Sequence, residues 1–179
     1  MKSIRRIVWK LFFQAKLLNR NMLIFFRTRR LKNFAKECGN KPYVGGKIEL
    51  CGNLYLGNNV NFNGMRFQGG GTVIIGNNFH SGVECMMITQ NHDYDTGEAI
   101  PYGTGFDFKT ITIHDNVWLG NRVTITGNTT IGEGAIIAAG SVVCKDVPPY
   151  AIVGGNPAKF IKYRDIEHYN KLKELKKFH

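Results

Sequence analysis

The chain of 179 residues carries five histidines: His80, His92, His114, His168 and His179. Imidazole is the side chain whose ordinary titration range lets it take a proton near neutral pH. His92 lies in the stretch ITQNHDYDTGEAIPYG, between Asn91 and Asp93 with Asp95 beyond. Asparagine and aspartate hold turns together by bonding their own backbone. A neutral imidazole in such a loop can draw a proton from a hydroxyl while that oxygen attacks a carbonyl carbon, which is general-base catalysis. His114 reads as a solvated turn residue, His80 as a surface position near the same edge, and His168 and His179 belong to the C-terminal tail. Cys38, Cys51, Cys85 and Cys144 form no C-x-x-C pair and read as reduced thiols of a cytoplasmic protein.

The elements that must position His92 follow from a repeat. From Ile113 the chain divides into hexads, IHDNVW, LGNRVT, ITGNTT, IGEGAI, IAAGSV and VCKDVP. Their first positions are Ile113, Leu119, Ile125, Ile131, Ile137 and Val143. Their fifth positions, Val117, Val123, Thr129, Ala135, Ser141 and Val147, are all small or β-branched. Upstream, Val44, Leu50, Leu56 and Phe62 keep the same spacing, with Ile48, Leu54 and Val60 at the fifth positions. The frame slips by one before IGNNFH (75–80) and breaks between about Thr89 and Thr110. A period of six suits neither a helix nor a plain hairpin. It suits a short strand and a turn repeated around a polygon, each face sending an aliphatic side chain inward and each rung pairing with the next. Gly57, Asn58, Gly76, Asn77, Gly120, Asn121 and Gly132 are expected at the corners, as residues that tolerate left-handed backbone. His92 then falls on a loop that leaves a regular solenoid, a natural place for function.

The stretch NVWLGNRVTITGNTTIGEGAIIAAGSVVCKDVPPYAIVGGNPAKFIKYR, residues 116–164, resembles the hexapeptide-repeat acyltransferases. It is similar to the C-terminal half of the galactoside and maltose acetyltransferases, and the likeness extends over about Pro42 to Arg164. The resemblance implies an all-β solenoid, a left-handed parallel β-helix with three faces per coil, in a homotrimer with active sites between neighbouring coils. It implies an acetyl-CoA-dependent O-acetyltransferase acting on a sugar or surface-polysaccharide precursor, with His92 as general base. For coenzyme A it points to Trp118, Asn121, Ala139, Cys144 and Lys145; Asn121 and Cys144 stand where the family often has Ser or Ala, and Thr. For the acceptor it points to Asn61, with Asn91 and Asp93 beside the histidine. An amino sugar, serine or a xenobiotic is the alternative acceptor, and a non-catalytic membrane-associated scaffold the alternative role. Zinc enzymes share the repeat, but they use three histidines with two close in sequence. His80, His92 and His114 are 12 and 22 residues apart, so no metal requirement is expected.

Residues 1–36 lie outside the resemblance. They hold eleven lysines and arginines and no acid, whereas the rest of the chain carries 13 of each sign. The net charge of +11 therefore belongs to an arm. From Ile4 to Phe26 the pattern is helical: Ile4, Ile7, Val8, Leu11, Ala15, Leu18, Met22, Phe25 and Phe26 share one side. Arg5, Arg6, Lys10, Lys16, Arg20 and Arg27 share the other, with Trp9, Phe13, Leu17 and Ile24 spilling onto it. Such a helix suits peripheral contact with an anionic membrane through residues 1–30, at the inner surface of a cytoplasmic location, or packing on the end of the β-helix or between protomers with its basic side solvated. No nucleic-acid motif accompanies the charge. No apolar run reaches the length of a membrane span, and Lys10 and Lys16 interrupt a signal-like segment. The expected organisation is a helical arm over 1–36, a β-helix over 37–164 with the excursion at 89–110, and a closing C-terminal helix over 165–179 that covers the last rung.

Overall fold

The computed structural model describes residues 2–179, without the side chains of residues 2–5, Ile7, Val8 and Leu11. The apolar positions expected at Ile4, Ile7, Val8 and Leu11 thus lie outside the described side chains. A long helix, α1 (Lys2–Phe34), precedes a coil of short strands, and a second helix, α2 (Ile166–Glu174), follows it.

The hexads build a three-faced prism of parallel strands. Face A stacks Glu37–Cys38, Asn53–Leu56, Thr72–Ile75, Thr110–Ile113 and Thr129–Ile131. Face B stacks Tyr43–Val44, Asn61–Phe62, His80–Ser81, Trp118–Leu119, Ile136–Ile137 and Ala151–Gly154. Face C stacks Ile48–Glu49, Met65–Gln68, Cys85–Ile88, Thr124–Thr126 and Val142–Val143. All twelve first- and fifth-position residues between Ile113 and Val147 are buried. Alternate residues of a strand point to one side, so each face sends two side chains inward, one more than a single aliphatic per face. Each rung hands its backbone donors to the next, as in Gly57 N to Ile75 O and Gly76 N to Ile113 O, both 2.8 Å.

The frame slip and the excursion are one feature. The regular coil advances 18 residues per turn, as from Ile113 to Ile131, but 19 from Leu56 to Ile75. Buried Phe67 follows Phe62 one residue early, and the corner Gly69-Gly70-Gly71 takes up the surplus. A Cβ at Gly71 would stand 2.2 Å from Lys109 O and 2.4 Å from Thr89 O. Those two residues are where the excursion leaves and returns, joined by Lys109 N to Thr89 O at 2.9 Å. The glycine corner makes room for the base of the loop.

The corner glycines serve a different purpose from the one their type suggests. At the corners that open with Gly57, Gly76 and Gly120, the left-handed residues are Asn59, Asn78 and Arg122, not those glycines. Those glycines are needed because successive rungs touch there. A Cβ on Gly57 would lie 2.7 Å from the carbonyl carbon of Gly76, and one on Gly120 would lie 2.6 Å from Ala139 N.

The C-terminal end also departs from expectation. The antiparallel strand Lys159–Tyr163 pairs with the edge Ala151–Gly154. Helix α2, capped by Asp165 accepting from His168 N at 2.8 Å, turns back along the coil wall instead of covering the last rung. Its buried Tyr169 explains the placement. The Tyr169 hydroxyl accepts from Asn116 Nδ2 at 2.7 Å and donates to Glu133 Oε1 at 2.8 Å.

Helix α1 continues past Phe26 because its last turns dock on the first rung. Leu31 is buried, Thr28 Oγ1 accepts from Val44 N at 3.1 Å, and Arg27 donates to Gly45 O at 3.2 Å.

Gly57→Ala should destabilise the fold by about 1–3 kcal/mol, because the methyl group would strike backbone that moves only with its rung. Chemical denaturation reads this as a lower midpoint; an unchanged midpoint would mean that the rungs can part to admit a methyl group.

Candidate active site

The strand Cys85–Ile88 of face C leads through buried Thr89 into a two-stranded antiparallel hairpin, Gln90–His92 with Phe106–Phe108, in which His92 is opposite Phe106. Thr89 anchors the departure with its amide and hydroxyl both donating to Gln68 O, at 2.8 and 3.1 Å. The His92 ring is exposed and held by aromatic stacking. Tyr102 lies against it at 3.9 Å between centroids and 18° between planes, and Phe106 at 4.9 Å. Among the described residues no hydrogen bond to the imidazole is present. Its nitrogens therefore remain available to a substrate.

Asp93 holds the loop. Its carboxylate accepts from Thr96 N and Thr96 Oγ1, both at 2.9 Å, and its carbonyl accepts from Gly103 N at 2.8 Å. The Thr96 amide and hydroxyl hold the Asp93 carboxyl below the usual aspartate range. The carboxylate thus engages Thr96 and not His92. His92, Asp93, Thr96, Phe106 and Asp107 line an open cavity of about 390 Å³. Asn91 is exposed on the hairpin opposite Asp107.

Trp118 and Asn61 lie elsewhere, on face B. Asn61, His80, Trp118 and Ile136 are stacked partners in successive rungs, each preceding an inward residue. Helix α2 and the tail beyond it roof this column, leaving a cavity of about 410 Å³ whose lining includes Asn61, His80, Trp118, Ile136 and Lys177. His80, read from sequence as a surface residue, is half-buried, its Nε2 3.1 Å from Asn63 Nδ2. Burial, then the neighbouring His179, pulls its pKa down. The shared place of Asn61, His80 and Trp118 before an inward residue was a signal for grouping them; nothing in the repeat announced the roof.

The remaining positions sit at corners. Asn121 and Ala139 stack between faces B and C, where Asn121 Oδ1 accepts from Val83 N at 3.0 Å. Open space surrounds a Cβ placed on Gly140 beside them, so an elongated molecule could lie close to the backbone. Exposed Cys144 and Lys145 follow Val142–Val143, at the corner between faces C and A from which the His92 hairpin also springs. One chain thus gathers His92, Cys144 and Lys145 along one corner, and Trp118 and Asn61 on a separate face. His80, His92 and His114 are likewise on face B, on the hairpin and at the corner between faces A and B.

This coil has counterparts. The bacterial transferase hexapeptide family (six repeats) matches residues 110–145. A hexapeptide-repeat-containing acetyltransferase from Vibrio cholerae is 30% identical, with a TM-score of 0.64 over 74% of this chain and 76% of that one. A maltose O-acetyltransferase from Clostridium difficile is 31% identical, with a TM-score of 0.59 over 73% and 68%. The Vibrio cholerae protein has also been solved with acetyl coenzyme A, at 28% identity and a TM-score of 0.58 over 74% of this chain and 73% of that one. In sequence, galactoside O-acetyltransferase of Escherichia coli is 35% identical over 124 residues, 66% of this chain and 60% of its own length. The chain spans about half the length of the first relatives it matches in sequence. The chain belongs to the hexapeptide-repeat acetyltransferases, and its prism is their left-handed parallel β-helix.

The roof over face B depends on Glu133, which accepts from both Tyr169 and Lys173. Burial raises its pKa, but the bonds from Lys173 and Tyr169 outweigh that and leave it lowered. A lowered carboxyl pKa stabilises α2 above the ordinary glutamate range, and that contribution disappears as pH falls through the folded value. Hydrogen exchange across Ile166–Glu174 should therefore accelerate in acid, and Glu133→Gln should show the faster rate already at neutral pH. Equal protection in variant and wild type would detach α2 from this carboxylate.

Proposed function

We propose that the chain is an acetyl-CoA-dependent O-acetyltransferase acting on a hydroxyl of a sugar or surface-polysaccharide precursor. It works as a homotrimer whose active sites lie between protomers, with residues 37–164 as the catalytic unit. The observation that carries this reading is the division of the candidate residues. His92 projects from the corner between faces C and A, while Trp118 and Asn61 belong to face B. The set closes only when the hairpin of one protomer meets face B of the next. The exposed Tyr94, Ile100 and Phe108 of the excursion give such a meeting an apolar surface. The sugar acceptor rests on the galactoside and maltose enzymes among the relatives, and the donor on the relative solved with acetyl coenzyme A.

Acetyl-CoA supplies an acetyl group already activated as a thioester. The exposed indole of Trp118 offers a flat apolar wall for its pantetheine arm. The small residues Ala138, Ala139 and Gly140 let that arm lie close, and Lys145 offers a cation for its phosphates. The acceptor needs a base, because an alcohol is a poor nucleophile at neutral pH. A neutral His92 nitrogen takes the hydroxyl proton as the oxygen forms the new ester bond, and that proton can pass to the departing sulfur. Stacking by Tyr102 and Phe106 fixes the ring while leaving both nitrogens to this task. Asn61 and Asn91 would bind the acceptor, and Asp93 would hold the loop around it. A lipid-linked glycan precursor is the acceptor class that would bring such an enzyme to a cytoplasmic membrane surface.

His92→Ala should lower acetyl transfer by about 10²–10⁴-fold with the fold intact, followed as thiol release with a panel of sugars, amino sugars, serine and antibiotics. Tyr102→Ala, which frees one side of the ring, should cost about three- to tenfold. Mixed trimers assembled from inactive His92→Ala and inactive Trp118→Ala chains should regain activity, since some interfaces receive both intact partners. Wild-type turnover by His92→Ala would reject the base, and mixtures that stay inactive would reject the shared site.

A further inference from the structure

Helix α1 is about 50 Å long at 1.5 Å per residue, yet only its last turns touch the coil. The docking residues Ile24, Arg27, Thr28 and Leu31 are buried or half-buried and fall on one side of the helix. At about 100° per residue, Phe12, Ala15, Leu18, Met22, Phe25 and Phe26 fall on the opposite side. Leu18 is 71% exposed, Phe25 59% and Phe26 58%. Among the described residues this apolar side thus faces away from the coil on which the helix docks, while exposed Trp9, Phe13 and Leu17 lie on the docking side. Helices in proteins owe little stability to propensity and most of it to a packed face, so a separate surface must provide the cover.

Charge selects that surface. Residues 1–36 hold eleven bases and no acid, and the first turn of α1 has no acidic residue to suit its positive end. Lys10, Lys16 and Arg20 lie on or beside the polar side, and Arg29 and Lys32 stand exposed where the apolar side ends near the coil. Arms of several copies packed together would set these bases against one another with no acid to pair. A layer of anionic headgroups over hydrocarbon satisfies both features: the apolar side enters the acyl boundary and the bases reach the phosphates. No helix among the described residues is long and apolar enough to cross a membrane, which leaves a position in the plane of the surface.

We infer that α1 lies in the headgroup layer of an anionic membrane, with Phe12, Leu18, Met22, Phe25 and Phe26 inserted and the β-helix carried on the opposite side of the helix. This gives the membrane contact named above a definite orientation, and it stands independently of the acetyltransferase reading.

Sedimentation of the full chain with phosphatidylcholine vesicles, with and without phosphatidylglycerol, tests it. Binding should require phosphatidylglycerol and weaken with salt. Two variants separate the contributions. Changing Arg6, Lys10, Lys16 and Arg20 to Gln should weaken binding by on the order of a hundredfold or more. Changing Leu18, Met22, Phe25 and Phe26 to Ser, with the charge kept, should weaken it at least tenfold and leave thiol release with a soluble acceptor unchanged. In vesicles carrying a brominated lipid, Phe25→Trp in a Trp9→Phe background should be quenched, and Leu31→Trp should not. Wild-type protein that stays in the supernatant, or a serine variant that binds as wild type does, would overturn the inference. So would a serine variant whose main change is a smaller assembly, since that would assign the apolar side to a second copy of the chain.

Discussion

Rung must lie on rung. Every part of this molecule depends on successive coils meeting at backbone distance, so that each amide donates to the turn beside it and each inward side chain rests on its counterpart. The sealed column of Ile113, Leu119, Ile125, Ile131, Ile137 and Val143 contributes hydrophobic stabilisation. The glycines at the corners permit the approach that seals it. A single Cβ at Gly39 would fall 2.6 Å from the carbonyl carbon of Gly57, backbone that can yield only by moving a rung. Apolar burial and close approach are therefore one constraint, met by aliphatic residues on the faces and residues without side chains at the corners.

A prism held this way is rigid and repetitive, and chemistry needs departures from repetition. The excursion from Thr89 to Lys109 is such a departure, and the coil absorbs it without losing register: Ile75 still pairs with Ile113 across 38 residues. The hairpin inherits its fixed base from that register, and His92 inherits its position from the hairpin. Face B carries its own column of outward side chains and its own roof. Because three faces turn in three directions, outward side chains on different faces of one coil stay apart.

The faces were readable from sequence because burial at first and fifth positions writes a period that nothing else in a protein produces. The corners were only half readable. Glycine at 57, 76 and 120 was foreseeable, but its cause was close approach and not left-handed backbone, which falls to Asn59, Asn78 and Arg122. The place of His92 on an excursion was visible as a break in the period. The stacking of Tyr102 and Phe106 on it was not, because contacts inside a loop follow no period. The roof over Asn61, His80 and Trp118 escaped for a similar reason. The return of α2 along the wall is decided by one tyrosine meeting Asn116 and Glu133, and no local pattern encodes that meeting.

That tyrosine ends a chain of amides. Asn59 donates to Asn78 at 3.1 Å, Asn78 to Asn116 at 2.9 Å, and Asn116 to the Tyr169 hydroxyl at 2.7 Å. Each link belongs to a different turn, so the file of side chains works as a measuring rod along the prism. The tail can settle only where the rod terminates. A coil gaining or losing one turn upstream of Asn116 would still fold face by face and would keep the last link, but the far end of the tail, now bonded through His179 O to Asn59 Nδ2, would meet a different storey. The number of turns between Asn59 and Asn116 thus sets how far the segment from Tyr169 to His179 reaches along the prism.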